Sequence, residues 1–279
     1  MSSTPSGVGV GEGDPGVGPK VGAGVSCELP LHVGTWNVSW WSQARFPSVE
    51  SLGVHLIALQ ETKLASLPLE RARGSLRGLG YTLHHGMACP VRRAGGHGDS
   101  GGVGVLAAPG VAISPLAPSS PAWRRLHAMA RLHGALVPPR RELPLGLRVF
   151  SVYAPLPRDP GREIFNSTFL EFVAGLDMQI PTLLLGDFNG TTTPERDHSC
   201  GGGPVCPLLS RLLGPGGSFI DLQLAVSPEE WAYTFSMPQG APWGSPGVTS
   251  PWATGLYLGR CRQFGWPRAT WNMGIRLWC

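Results

Sequence analysis

The sequence predicts a layered α+β domain in which strands outnumber helices. Three observations predict it. Short apolar runs recur from about residue 30, each bounded by polar residues, Gly or Pro. Helical periodicity, by contrast, is confined to two stretches. Several strand-like runs also follow one another with no helix between them, which argues against a strict βαβ repeat.

Taken in order, residues 1–26 are Gly-rich and aperiodic, and are expected to form a disordered lead-in. "LHVGTWNV" (31–38) and "HLIALQET" (55–62) are expected strands that end in polar residues. "LERARGSLRGLG" (69–80) is an expected helix, followed by the strand-like "YTLHHG" (81–86). "GGVGVLAA" (101–108), "LRVFSVYAP" (147–155) and "PTLLLGDFN" (181–189) are further strands. Between the last two, "REIFNSTFLEFVAGLDMQ" sets Phe165, Phe169, Phe172, Val173 and Leu176 on one helical face. "FIDLQ" (219–223) and "WAYTFS" (231–236) complete the strands, so the domain is expected over residues 27–236. Residues 237–279 carry five of the ten tryptophans with no alternation or amphipathic period. They are expected to form a poorly ordered tail that does not continue a sheet.

A chain of 279 residues is long enough for one substantial domain with flexible ends. Hydrophobic residues at 42% exclude wholesale disorder, while 40 glycines and 28 prolines imply many turns. The net charge of +4 is compatible with nucleic acid but selects no partner. Six cysteines show no paired CxxC spacing, and His198, Cys200 and Cys206 lack a fourth zinc ligand. Free thiols in a reducing compartment are therefore expected. No apolar run approaches a membrane span, and no signal-peptide pattern opens the chain, so a nuclear or cytoplasmic, non-secreted, monomeric protein is expected.

Three strand-like runs end in groups that can carry chemistry: Asn37, Glu61, and Asp187 with Asn189. Strand ends in layered α/β domains are where side chains from distant positions converge on a ligand. Taken singly, each of these residues reads as well as a turn or cap residue. Two carboxylates and two carboxamides meeting together suit a hard cation such as Mg²⁺, which completes its shell with water and phosphate.

The stretches "TWNV" (35–38), "LQET" (59–62), "GGVGVL" (101–106), "SVYAP" (151–155), "LLLGDFN" (183–189) and "YTFS" (233–236) occur in this order. Together they resemble the endonuclease/exonuclease/phosphatase superfamily, the deoxyribonuclease-I-like fold. "VYAP" and "FIDL" leading to "YTFS" are similar to the endonuclease domains of LINE-type retrotransposons. The resemblance implies a four-layer α/β sandwich of two packed mixed sheets flanked by helices, C-terminally incomplete. It implies Mg²⁺- or Mn²⁺-dependent phosphodiester hydrolysis, with DNA as partner. A phosphorylated small molecule or lipid headgroup is the alternative substrate. By position, Glu61 and Asn37 correspond to metal ligands, and Asp187 to the group that orients or deprotonates water. Asn189 and Tyr153 correspond to phosphate-binding catalytic residues, and Thr234 to a residue beside the nucleic acid.

The family pattern ends in a Ser-x-Ile-Asp strand and a Ser-Asp-His motif that this chain lacks. No aspartate follows Asp221 and no histidine follows His198. A catalytically dead remnant of the domain is therefore a second reading, and an exposed sheet edge is expected where the strand is missing. Asp197-His198, in the stretch after GDFN, reads as an exposed loop dipeptide and not as a replacement. "GDSGG" (98–102) matches the string around a protease serine, but about a hundred residues at most precede Ser100 and no Ala-His-Cys element is among them. It reads as a Gly-rich hairpin turn.

Overall fold

The computed structural model describes residues 31–42, 53–93, 96–141, 143–177, 179–192, 205–222, 225, 256–260 and 277–278. Among them, the apolar runs become strands β1 (Val33–Asn37) and β2 (Leu56–Gln60), then helix α1 (Ser66–Gly78) and β3 (Thr82–Gly86). A hairpin of β4 (Cys89–Arg93) and β5 (Gly96–Ser100) leads to β6 (Val103–Ala107) and the short β7 (Ser114–Pro115). Helix α2 (Pro121–Ala128), β8 (Leu132–Val137), β9 (Leu147–Tyr153), α3 (Arg162–Ala174) and β10 (Thr182–Asp187) follow. Helix α4 (Pro207–Leu213), β11 (Ile220–Asp221), β12 (Leu256–Arg260) and β13 (Leu277–Trp278) complete the elements.

The strands form two main sheets, ordered β13-β1-β2-β6-β3 and β11-β12-β10-β9-β8-β7. Three apolar clusters define the layers. Val33, Ala58, Val105, Ala135, Val149 and Leu185 fill the space between the sheets. Leu69, Ala72 and Leu76 of α1 pack on Ile57, Leu59 and Leu106 of the first sheet. Trp123 and Leu126 of α2, Phe165, Phe169 and Phe172 of α3, and Leu208 and Leu209 of α4 cover Phe150, Val152 and Leu184 of the second. Each buried phenylalanine contributes about 1.5–3 kcal/mol by leaving water. The order is helix, sheet, sheet, helix: the expected four-layer α+β sandwich.

Each main sheet contains a central parallel pair, β1 with β2 and β9 with β10, and these two pairs set up the site. β1 runs parallel to β2 with Asn37 opposite Gln60. β9 runs parallel to β10 with Tyr153 opposite Asp187. Their carboxyl ends therefore emerge side by side. Gly186 explains how β10 fits so closely: a Cβ there would lie 1.9 Å from the Val152 carbonyl oxygen.

Several expectations need adjustment. The α3 helix stops at Ala174 because Gly175 caps it, short of the expected residue 179. "FIDLQ" narrows to the two-residue β11, and "WAYTFS" lies outside the described residues. The string "GDSGG" is not a hairpin turn: Gly98–Ser100 lie within β5, paired with Cys89–Val91. The Trp-rich stretch was expected to stay out of the sheets, yet β12 pairs antiparallel with β10 along its length, and β13 adds to β1. The edge expected to be left open beside β10 is thus filled. No period-2 signal marks this strand because Leu256, Tyr257 and Leu258 are apolar in succession, with Gly259 and Arg260 after them.

A second buried feature sits where β3 of one sheet meets β8 of the other. His85 and His133 are both buried, and the His127 ring lies 5.4 Å from that of His133. His85 shares a short hydrogen bond, 2.6 Å, with the Thr62 hydroxyl, next in sequence to Glu61. Neither ring nitrogen of His133 meets a protein partner among the described residues. Burial, with smaller contributions from neighbouring His and Arg73, depresses the pKa of His85 and of His133 to about 3.

Two outcomes are expected. Gly186→Ala forces a methyl group into fixed backbone and should cost about 3 kcal/mol or more in chemical denaturation; an unchanged midpoint would contradict the register described. The histidine pKa values are depressed on folding, so their contribution is fully present above the unfolded value near 6.5. It is lost as pH falls from there towards 3, by about 2 kcal/mol per imidazole at pH 5. His133→Leu should therefore flatten the acid limb of the stability curve while leaving stability at pH 7.5 equal or higher. Retention of the full acid slope would show that His133 is not held neutral.

Candidate functional site

The carboxyl ends of β1, β2, β9 and β10 carry the groups singled out from sequence. Asp187, the last residue of β10, is only 4% exposed, a position that a carboxylate occupies at a cost unless it is hydrogen-bonded. It is hydrogen-bonded at both oxygens. Asn37 Nδ2 donates to Oδ2 at 2.9 Å, across 150 residues and from the other sheet. The backbone N–H of Asn189 donates to Oδ1 at 2.9 Å. This turn requires a left-handed conformation at Asn189 (φ 46°), which asparagine tolerates better than most residues. The Asn189 side chain then donates through Nδ2 to the Ala154 carbonyl at 2.7 Å, tying the end of β10 to the end of β9.

Glu61 follows β2 in a left-handed conformation, φ 52°, and Lys63 repeats it at φ 54°. Such residues cost of order 1–3 kcal/mol each and persist only where the surroundings hold them. Here Thr62 and Lys63 donate their backbone N–H groups to the carbonyls of Gly102 and Gly101, each at 3.1 Å. Gly102 sits at φ 83°, and a Cβ there would lie 2.6 Å from the Thr62 hydroxyl. The "GGVGVL" stretch thus serves as a cradle for the Glu61 loop. The strained loop aims the Glu61 carboxylate at Tyr153, whose hydroxyl donates to Glu61 Oε1.

Two groups escaped the sequence reading. Arg131, just before β8, stacks its guanidinium over the Tyr153 ring at 4.6 Å from the centroid. Burial lowers its pKa, and the charges of Asp159 and Glu61 oppose that shift. The Glu61 carboxylate thus lies close enough to act on the Arg131 guanidinium. Arg162, on the first turn of α3 and 8% exposed, donates to the carbonyls of Pro155 and Phe188 and to Cys206 Sγ. It pins the chain beyond β9 to the chain beyond β10. No local motif marks either arginine; the available signal was a charged residue abutting an apolar run.

The arrangement thus gathers Asn37, Glu61, Tyr153, Asp187 and Asn189 at one rim, with Arg131 behind them. Thr234, also singled out from sequence, lies outside the described residues, as do Asp197 and His198. The oxygen donors are hard: two carboxylates and two amide oxygens. That set fits a divalent cation that keeps most of its shell for water and phosphate. Among the described residues no three His, Cys, Asp or Glu side chains converge to form an all-protein metal cage, and no helix is long and apolar enough to cross a membrane.

The chain was compared with known proteins. Residues 34–277 match the model of the Endonuclease/Exonuclease/phosphatase family, a span that includes the Trp-rich stretch. No curated protein matches. The catalytic domain of Xenopus laevis APE2 is similar in fold at 19% identity and TM-score 0.53, with 81% of each chain covered. An AP endonuclease from Archaeoglobus fulgidus is similar at 16% identity and TM-score 0.54, covering 83% of this chain and 86% of that one. Matched over most of its length and folded as the same sandwich, the chain belongs to the endonuclease/exonuclease/phosphatase family.

Proposed function

We propose that this protein is a metal-dependent phosphodiesterase that nicks DNA, of the retroelement endonuclease type. The observation that carries the reading is the convergence of Asn37, Asp187 and Asn189 with the Tyr153–Glu61 pair at the ends of two parallel strand pairs. The DNA substrate is supported by the similarity in fold to an AP endonuclease from Archaeoglobus fulgidus, and the retroelement type by the sequence stretches "VYAP" and "FIDL".

Each residue then has a defined task. Asp187, oriented by the N–H donors of Asn37 and Asn189, aligns the attacking water and accepts its proton. Asn189 spends one amide hydrogen on the Ala154 carbonyl and keeps the second for a phosphate oxygen. Tyr153 donates its single hydroxyl proton to the Glu61 carboxylate and turns it to a phosphate oxygen only by releasing Glu61, and Arg131 keeps the Tyr153 ring in place. Glu61 and Asn37 supply oxygen donors for Mg²⁺ or Mn²⁺. Such an ion, when bound, neutralises charge developing on the phosphate and polarises water.

One observation favours a second reading, a domain that binds nucleic acid without cutting it. The chain has no aspartate after Asp221 and no histidine after His198. A missing acid/base group costs about 10²–10⁴ in rate.

Relaxation of supercoiled plasmid decides between them. Nicking is expected with Mg²⁺ or Mn²⁺ and not with EDTA. Glu61→Gln, which preserves the acceptor for Tyr153, should lower the rate by about 10²-fold or more, and Asp187→Ala by a similar factor. Nicking that survives both substitutions belongs to a contaminant, and none from the wild type leaves the binding domain. Arg131→Met should lower the rate by about tenfold through the freed Tyr153 ring.

A further inference from the structure

We infer that Trp40 is a stacking platform for an unpaired nucleobase at the edge of the site; the inference rests on the reading of that site as one for nucleic-acid phosphate. Trp40 is 60% exposed, although tryptophan has among the largest apolar surfaces to hide. The exposure is built into the turn that follows β1. Ser39 takes a left-handed conformation, φ 54°, secured by its N–H donating to Asn37 Oδ1 at 2.8 Å. Trp40 N–H donates back to the Val38 carbonyl at 2.6 Å, and Trp41 N–H to the Thr62 carbonyl at 2.9 Å. Trp41 turns inward and packs with Leu59 and Leu64.

Trp40 is therefore held between two anchors, one on Asn37 and one on the residue after Glu61. Its backbone is tied on either side to the segments that carry Asn37 and Glu61, and its side chain is largely exposed to water. Leu156, three residues beyond Tyr153, is likewise 59% exposed. Exposed apolar groups following both parallel strand pairs fit a ligand with a polar phosphate and an apolar, planar base. A base offers its face to an indole when it is single-stranded or flipped from a duplex, not while stacked within one. The chemical class assigned is thus an unpaired nucleotide within, or at the end of, a DNA strand.

Binding of a fluorescein-labelled twelve-residue oligothymidylate, followed by anisotropy in EDTA at low salt, tests this without requiring cleavage. The wild type should bind it more tightly than a blunt duplex of the same length. Trp40→Ala should weaken the single strand by about tenfold or more and leave the duplex unchanged, and Trp40→Phe should restore binding to within about threefold. Because the indole is exposed, the thermal unfolding midpoint of Trp40→Ala should match the wild type. Wild-type-like binding by Trp40→Ala, an equal loss for single strand and duplex, or no binding by the wild type overturns the inference. Trp40-dependent binding with no plasmid nicking overturns the hydrolytic reading and leaves the stacking platform standing. Glu61-dependent nicking with Trp40-independent binding does the reverse.

Discussion

The buried side chain of Gln60 imposes the constraint on which the site depends. Aliphatic packing between two sheets is non-directional and leaves them free to slide. Gln60 removes that freedom. Its Oε1 accepts from the Thr35 hydroxyl within the first sheet, and its Nε2 donates to Ser151 Oγ in the second, each at 3.0 Å. The Ser151 hydroxyl returns across the gap to the Leu59 carbonyl at 2.8 Å. The network has one consistent assignment: Ser151 spends its proton on Leu59, so it must accept from Gln60, which fixes the amide orientation. Every group is satisfied, and a satisfied buried network specifies one register where an apolar contact permits several. One residue past Gln60 and two past Ser151 stand Glu61 and Tyr153, so the bridge sets the distance over which those two meet.

Beyond the bridge, the site is held by strain and counter-strain. Ser39, Glu61, Lys63 and Asn189 all occupy left-handed conformations, and all lie within four residues of a parallel strand's end. Sharp turns of this kind are the way to stop a strand abruptly and still direct its last side chains inward. The compensating bonds come from distant chain. Gly101 and Gly102 hold the Glu61 loop, Asn37 and Asp187 hold the turns at Ser39 and Asn189, and Arg162 clamps Pro155 to Phe188. Strain of a few kcal/mol in total is large against the net stability of a domain. Four of the six non-glycine residues at positive φ among the described residues stand at the rim where Asn37, Glu61, Asp187 and Asn189 lie.

The legible parts of the molecule were those with local causes. Strands β1, β2, β6, β9 and β10 announced themselves as apolar runs, and their polar last residues, Asn37, Glu61, Asp187 and Asn189, as a convergent set. Strand β8 did not, because His133 and Gly134 break its apolar run although both are inside the fold. Helix α2 begins with Ser120 capping the Trp123 N–H and Pro121 at the first turn, a start signal that was present and went unread. Arg131 and Arg162 were illegible for a different reason. An arginine is expected at the surface, and only the folded chain shows Tyr153 beneath one and two loop carbonyls around the other.

The sheet edge beside β10 separates what the fold needs from what the chemistry needs. Strand β10 carries Asp187, and an unpaired flank would leave its backbone groups open to other chains. Backbone pairing is indifferent to side-chain identity, so Leu256–Arg260 can close that flank without an acid or a histidine among its five residues. β11 then pairs on the outer side of β12, moving the exposed edge two strands away from the site. The pairing that keeps β10, and with it Asp187, in place on this flank is therefore met by backbone of residues that supply neither an acid nor a histidine. A chain can keep the architecture that orients its carboxylates while the partners those carboxylates would work with are altered independently. In this protein the half of the site built on parallel strand pairs is fully braced, and the flank that closes it is supplied by backbone alone.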